Sequence, residues 1–447
     1  MTSPVEQKAA QAGAPAPPAA RGFRRVLAGS MAGAVLEWYD FAIYGILAAT
    51  VLGPLFFPGE GEVMKLLMAL ATQGIGFVAR PLGGIVFGHL GDKFGRKPML
   101  VTTFLLLGLS TAAIGLLPTY GQIGITATVL LVLLRLTQGF ALGGEFGAAV
   151  LMVSEYGEPR RRGFWASWPQ AGAPMGTVLA TSVVSVITLF VSDAAFDSWG
   201  WRLAFLVALP LLVIGFWLRR SVEESPVFQA AQARQETRTV TPRKRSSILD
   251  ALANPRQVLH GLGVRLGENI AFYIYTVFVI AYATTSFGYD RGDVVLAVTF
   301  ASLFQFVGML GGGRISDSVG RKPAMIVPSV ILVAWAPLFF WLVQFESLPL
   351  LWLGVCVGAF FHGVLAGTEA AWITELFPTR HRFAGSSLVF QGSSIIAGAP
   401  APFIAVWLID RFGVASVIAY LVVTMGITVV AAATSRESRN RDLDAIE

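Results

Sequence analysis

Residues 88–98 read GHLGDKFGRKP, and residues 313–323 read GRISDSVGRKP. Each is a short polar stretch, rich in glycine, set between two long apolar runs. They stand 225 residues apart, measured from Asp92 to Asp317. Two further echoes keep the same order. SEYGEPRRR at 154–162 answers TELFPTRHR at 374–382, and EWYDFAIYG at 37–45 answers ENIAFYIYT at 268–276, at offsets of 220 and 231. Three ordered echoes mean that the chain contains two copies of one unit.

The runs around these stretches set the nature of that unit. A helix that crosses a bilayer needs roughly 20 mostly apolar residues. Twelve such runs are present, at about 27–52, 65–90, 98–118, 123–153, 163–190, 202–219, 259–286, 293–315, 322–343, 349–376, 383–409 and 413–434. The mean hydropathy is +0.66 and only 13% of residues are charged, against about 25% in soluble domains. A soluble chain this apolar could not cover its own surface, so the excess must face lipid. The expected fold is an all-α integral membrane protein: twelve transmembrane helices in two six-helix bundles related by pseudo-symmetry. The expected division is a disordered tail at 1–24, a first bundle at 25–219, a linker at 220–258, a second bundle at 259–435 and a short tail at 436–447.

Charge placement orients the bundle. Odd-to-even loops hold 4 Lys and Arg, whereas the tails and the even-to-odd loops hold 26. Basic residues concentrate on the cytoplasmic side of membrane proteins, which predicts both termini in the cytoplasm and a multi-pass protein of the cytoplasmic membrane. The net charge of +6 is thereby a topology signal, and no nucleic-acid partner is expected. The single cysteine, Cys356, cannot form an intrachain disulfide. The four histidines show no ligand spacing, so no metal is expected. No nucleotide-binding stretch is present; GGG at 311–313 lacks the lysine and hydroxyl of a phosphate loop.

The chain resembles a known family in several places at once. Gly88, Asp92, Lys93, Gly95, Arg96 and Lys97 match the loop signature of the major facilitator superfamily, and Gly313, Asp317, Gly320, Arg321 and Lys322 repeat it with Ser318 in place of a base. RLTQGFALGGE at 135–145 is similar to that superfamily's fourth-span pattern. LEWYDFAIYG at 36–45, FVARPLGG at 77–84 and EESPVF at 223–228 resemble the metabolite:H+ symporter family, whose members carry α-ketoglutarate, citrate, shikimate, or proline and betaine. The resemblance spans residues 25–435. It implies alternating access about a site between the halves, a small-molecule solute, protons as the coupling ion, no other cofactor, and a monomer in the lipid bilayer.

Charges inside the bilayer are costly and therefore mark function. The deep acids are Glu37, Asp40, Glu145, Glu268 and Glu369, and the deep bases are Arg80, Arg135 and Arg265. Glu37 and Asp40 are i, i+3 on one helix face. Two neighbouring carboxylates in low dielectric do not both ionise readily, so one of them is expected to hold a proton, with Arg135 as its partner. Glu145 shares the face of Arg135 and joins the expected proton-coupling set. Arg80, Tyr44, Gln138, Glu268, Tyr275 and Glu369 are the expected solute-site residues. By the resemblance, Asp92 with Arg96, Asp317 with Arg321, and Glu155 and Glu375 with nearby arginines form a latch that opens when the halves rock. Static ion pairs are the alternative reading of each, and Na+ the alternative coupling ion. The function expected is proton-coupled symport of a small carboxylate or zwitterion. A proton-coupled exporter, for which GAPMG at 172–176 is the one pointer, and a membrane sensor with this fold are the alternatives.

Overall fold

The computed structural model describes residues 20–57, 61–94, 96–156, 158–220, 255–378 and 382–439. The expected tails and linker fall largely on 1–19, 221–254 and 440–447, outside the described residues. Among the described residues every element is a helix. In chain order they are α1 (Ala20–Leu47, continued by a π-helical turn at Ala48–Leu52 and by Gly53–Phe56), α2 (Glu62–Phe94), α3 (Arg96–Leu116), α4 (Ile125–Tyr156), α5 (Arg162–Phe190) and α6 (Trp201–Leu206 with Ala208–Arg220). The second series is α7 (Pro255–Tyr273, a π-helical turn at Ile274–Phe278, then Val279–Phe287), α8 (Arg291–Val319), α9 (Arg321–Val343), α10 (Leu348–Glu375), α11 (Arg382–Ser393, a π-helical turn at Ser394–Gly398, then Ala401–Phe412) and α12 (Val414–Thr434). Eleven spans among the described residues are long and apolar enough to cross a membrane. The helix α2, 33 residues long, is the remaining member of the series.

Within the first half α2 packs on α4, α1 on α5 and α3 on α4 and α6; within the second, α8 packs on α10, α7 on α11 and α9 on α10 and α12. These are the same pairings shifted by six helices. Glycines make them possible, because there is no hydrophobic drive between helices in lipid and small residues let backbones touch. A Cβ on Gly83 of α2 would lie 1.8 Å from the Phe140 carbonyl oxygen of α4, and one on Gly308 of α8 would lie 2.2 Å from the Phe360 carbonyl oxygen of α10. Likewise a Cβ on Gly143 would meet the Arg80 carbonyl at 1.9 Å, and one on Gly363 the Gln305 carbonyl at 2.3 Å. Each pair of contacts is related by the 225 and 220 offsets read from the sequence. The GAPMG stretch has the same use: Gly172 and Gly176 of α5 bring Ala34, Val35 and Trp38 of α1 into contact.

The halves meet through α5 against α8 and α10, and through α11 against α2 and α4. The described ends of the chain both lie on one face of the bundle, called here the tail face. On that face α5 and α8 touch directly: a Cβ on either Gly163 or Gly313 would lie 2.6 Å from the carbonyl oxygen of the other.

Candidate functional site

Three polar assemblies are built into this apolar frame. The first is enclosed in the first half. Asp40 of α1 receives Arg135 Nη1 of α4 on Oδ2 at 2.7 Å, and on Oδ1 it accepts from Thr111 Oγ1 of α3 at 2.8 Å and Gln138 Nε2 at 2.7 Å. Gln138 also accepts from Arg135 Nη1 at 2.8 Å, and the guanidinium lies 3.5 Å above the Tyr44 ring. Asp40, Arg135 and Gln138 are all at most 4% exposed. Such a pair is costly to bury unless its hydrogen bonds are met. Here the carboxylate is fully met, while Nε and Nη2 of Arg135 have no hydrogen-bond acceptor among the described residues.

The second assembly is a cavity of about 60 Å³ between the halves. From the first half it is lined by Glu37, Trp38 and Phe41 of α1, Phe77 and Arg80 of α2, and Gln170 of α5; from the second, by Arg265, Glu268, Asn269 and Phe272 of α7, His362 of α10, and Gln391 of α11, with others. Arg80 Nη2 stands 3.6 Å from Glu37 Oε1, a loose pair, and its guanidinium lies 4.4 Å from the Phe77 ring centre. Across the cavity Arg265 binds Glu369 of α10 directly and stands 3.8 Å from Glu268. Glu268 Oε1 faces His362 Nε2 at 2.9 Å, and His362 Nδ1 faces Gln305 Nε2 at 2.8 Å. With the Gln305 amide nitrogen donating, Nδ1 is the acceptor and the ring proton lies on Nε2, directed at Glu268. Trp38 of one half and Phe272 of the other meet edge to face at 5.1 Å between ring centres on the cavity wall.

The third assembly closes the tail face below the cavity. Asp317, at the end of α8, accepts from the backbone N–H of Gly163 and of Phe164, each at 2.8 Å, and so caps the start of α5 in the other half. An acid at a helix N-terminus satisfies open donors and meets the positive end of the helix dipole. Arg321 of α9 joins Asp317 at 2.8 Å to both oxygens of Glu375, at 3.0 and 3.1 Å, and Arg162 of α5 reaches Glu375 at 3.4 Å.

The family model of the Major Facilitator Superfamily matches residues 63–402. The chain belongs to this superfamily. It is 37% identical over 401 residues to the shikimate transporter of Escherichia coli K12, covering 87% of this chain and 88% of that protein. It is 34% identical over 433 residues to the proline/betaine transporter of Salmonella typhimurium, covering 94% and 85% respectively. Among solved structures, that of the proton:xylose symporter XylE bound to 6-bromo-6-deoxy-D-glucose superposes with a TM-score of 0.70, covering 95% of this chain and 98% of that one, at 16% identity. The protein is thus an all-α, multi-pass membrane transporter, not an enzyme.

Several expected site residues of this transporter stand elsewhere than the linear reading places them. Glu37 and Asp40 are not a coupled carboxyl pair. The 60° between them on the helix is enough to aim Glu37 at the cavity and Arg80, and Asp40 into the bundle at Arg135. Tyr44 and Gln138, expected at the solute site, belong to the Asp40 assembly. Tyr275 packs on Phe339 and Gly358 inside the second half, and Tyr273 takes the place on the cavity wall. Glu369 stands behind Arg265 rather than on the wall. Arg80 and Glu268 do line the cavity. The side chains of Asp92, Arg96, Glu145 and Glu155 fall outside the described residues. Sequence reasoning missed Trp38, Asn269, Phe272, His362 and Gln391. For Phe272 a signal existed: the 231-residue offset maps Glu37 to Glu268 and Phe41 to Phe272.

The carboxy-terminal segment after α12 is a further unforeseen part of the tail-face assembly. Glu437 accepts from the backbone N–H of Arg321 at 2.9 Å and of Lys322 at 3.0 Å, capping α9, and Ser438 Oγ donates to Glu375 Oε2 at 2.5 Å. Burial alone would raise the Glu437 carboxyl, but the N–H groups of Lys322, Arg321, Arg439 and Ser438 outweigh it and hold the group below the usual glutamate range. A depressed folded-state value means that this clamp stabilises fully above the unfolded glutamate value of about 4.3 and is lost as pH falls through the lowered value. Hydrogen exchange at the Arg321 and Lys322 amides, corrected for intrinsic rates, is therefore expected to stay flat down to about pH 4.3 and to rise below it. In Glu437→Gln the step should vanish; a step retained in that variant would remove Glu437 as its origin.

Proposed function

We propose that this transporter is a proton-coupled symporter of a small carboxylate or zwitterion, working by alternating access as a monomer in the cytoplasmic membrane with both termini inside. The observation that carries the proposal is the separation of two charged assemblies. Asp40 and Arg135 form an enclosed carboxylate–guanidinium pair, a group that a proton can break without the solute touching it. Arg80 and Arg265 stand in a different place, on the wall of a cavity between the halves. The proton and the solute therefore have separate seats one turn apart on α1, where Glu37 faces the cavity and Asp40 the buried pair.

In this reading the proton enters on Asp40, neutralises it and releases Arg135 from its strong partner. The solute bridges the two halves at the cavity. The tail-face assembly of Asp317, Arg321, Glu375 and Arg162, taken as the cytoplasmic latch, then parts as the halves rock, because each of its links between halves depends on the N-terminus of α5 lying against the end of α8. Relatives at 34–37% identity, a shikimate transporter and proline/betaine transporters, support a carboxylate or zwitterion as cargo. The excess of basic residues on the tail face supports the orientation.

The test is uptake into proteoliposomes with an imposed pH gradient, screening labelled shikimate, proline, glycine betaine and other organic acids. Accumulation with an inward proton gradient is expected. If solute instead leaves against that gradient, the exporter reading replaces this one. If no solute is moved or exchanged, the sensor reading does.

A further inference from the structure

Side chains that line the cavity carry unmet hydrogen-bonding atoms of both kinds just beneath its surface, and these restrict the cargo further, given that the cavity is the solute site. Two donors, Nε of Arg80 and Nε of Arg265, have no partner among the described residues. On the same wall two acceptors, Oε2 of Glu268 and Oε1 of Gln391, are equally without one. Glu268 and Gln391 are each only 6% exposed, so bulk water does not meet these atoms. An unmet buried polar atom costs about 1–3 kcal/mol. These atoms are satisfied only if their side chains turn to a ligand that offers both donors and acceptors.

The charge count limits the ligand in a second, independent way. The cavity and the layer directly behind it hold Glu37, Glu268 and Glu369 against Arg80 and Arg265. Among the described residues the balance is one negative charge with all three acids ionised, and zero with one of them protonated. Arg265 is already held by Glu369 and stands near Glu268. Arg80 is the looser of the two bases, its ion pair with Glu37 standing at 3.6 Å. The site therefore offers one arginine for an incoming carboxylate. A second carboxylate would find the acids of α7 and α10 rather than a base, in a medium where like charges repel strongly.

We propose that the cavity selects a monocarboxylate whose far end carries hydrogen-bond donors, hydroxyl or N–H, and rejects di- and tricarboxylates. Arg80 anchors the carboxylate from the first half. Glu268 and Gln391 read the donors from the second, so the ligand spans the interface that alternating access must open. Hydroxyl and ammonium ligands share this chemistry and are separated by the experiment.

Binding to the purified full-length transporter in nanodiscs is measured by calorimetry for hydroxylated monocarboxylates including shikimate, amino monocarboxylates including proline, the donor-free cyclohexanecarboxylate, succinate and citrate. A donor-bearing monocarboxylate is expected to bind best, and which class does so decides between hydroxyl and ammonium. Gln391→Leu, or Gln391→Met if the branched side chain prevents folding, should weaken that ligand about tenfold, the worth of one buried hydrogen bond, and leave cyclohexanecarboxylate unchanged. The proposal fails if succinate, citrate or cyclohexanecarboxylate is the best ligand, if no donor-bearing monocarboxylate binds, or if the Gln391 variant binds as wild type does. No proton gradient enters the measurement. Failed symport with this binding pattern intact would overturn the coupling alone, and driven uptake of a dicarboxylate would overturn the selectivity alone.

Discussion

Asp40→Asn is expected to abolish gradient-driven accumulation, down to the level of liposomes without protein, while solute exchange across the bilayer persists. Asparagine fits the space, keeps one oxygen to accept from Thr111 or Gln138, and cannot take up a proton. The cavity is left as it was, since Asp40 does not line it, so a carrier that exchanges solute on both sides should still do so. The substitution also leaves Arg135 buried without its counter-charge. Removing one partner of a buried pair typically costs about 3–5 kcal/mol, part of which Gln138 and the Tyr44 ring offset here, so the thermal midpoint should fall as well. Two readouts in the same preparation separate the effects: pH-dye traces during downhill solute entry, and counterflow of labelled solute. Loss of the proton signal with counterflow retained is the expected outcome. Unchanged driven uptake would remove Asp40 from the proton role and move attention to Glu37, which Glu37→Gln would then test.

Gly139→Ala is the second large effect, and it is one of folding. The new Cβ would lie 1.9 Å from the Gly76 carbonyl oxygen and 2.8 Å from the Gly76 Cα. Backbone cannot give way as a side-chain end can, so α2 and α4 would have to move apart along their whole glycine contact. Overpacking a core costs typically about 1–3 kcal/mol and occasionally more. Here separation would also loosen Gly83 and Gly143, and Gln138 beside the change would be drawn from Asp40. The expected result is loss of the monodisperse peak on size exclusion in detergent, or a thermal midpoint far below wild type. Gly426→Ala in α12 is the control: nothing lies within 4 Å of its added Cβ. Alanine is the better helix former by about 0.5–1 kcal/mol, so that midpoint should hold or rise. Equal behaviour of the two variants would refute the contact argument.

The glycine contacts explain why much of this architecture was legible from the chain alone. Gly83 with Phe140 and Gly308 with Phe360 are the same contact made twice, and the offsets that relate them are visible in the residue numbers. The loss of the enclosed pair from the second half is legible in the same way. The offsets carry Asp40 to Ala271 and Arg135 to Val355, so the second half has no counterpart of the Asp40–Arg135 pair, and Tyr275, the counterpart of Tyr44, packs on Phe339 instead. What the offsets do not carry is which arginine each acid meets. Glu37 and Asp40 lie three residues apart and read as one site. They end in two, because Arg80 comes from α2 and Arg135 from α4, and those helices approach α1 from different sides. His362 lies in the middle of the run 349–376, but its partners were not legible there. It matters only because α7 brings Glu268 to one ring nitrogen and α8 brings Gln305 to the other.

By itself, then, the sequence determined the spans, their order, the duplicated unit and the set of ionisable groups placed inside the bilayer. These follow from the solvent: a hydrocarbon slab of fixed thickness demands runs of a given length and penalises every charge within them, and both demands act residue by residue along the chain. The tertiary structure alone decided the partners: Asp40 with Arg135 away from the solute, Arg80 and Glu268 across the cavity, and Glu437 on the start of α9. Those depend on how far each helix is rotated and how deep it sits against its neighbours. Rotation and depth are set where glycines let two backbones touch, a property of pairs of helices that no single stretch of sequence contains.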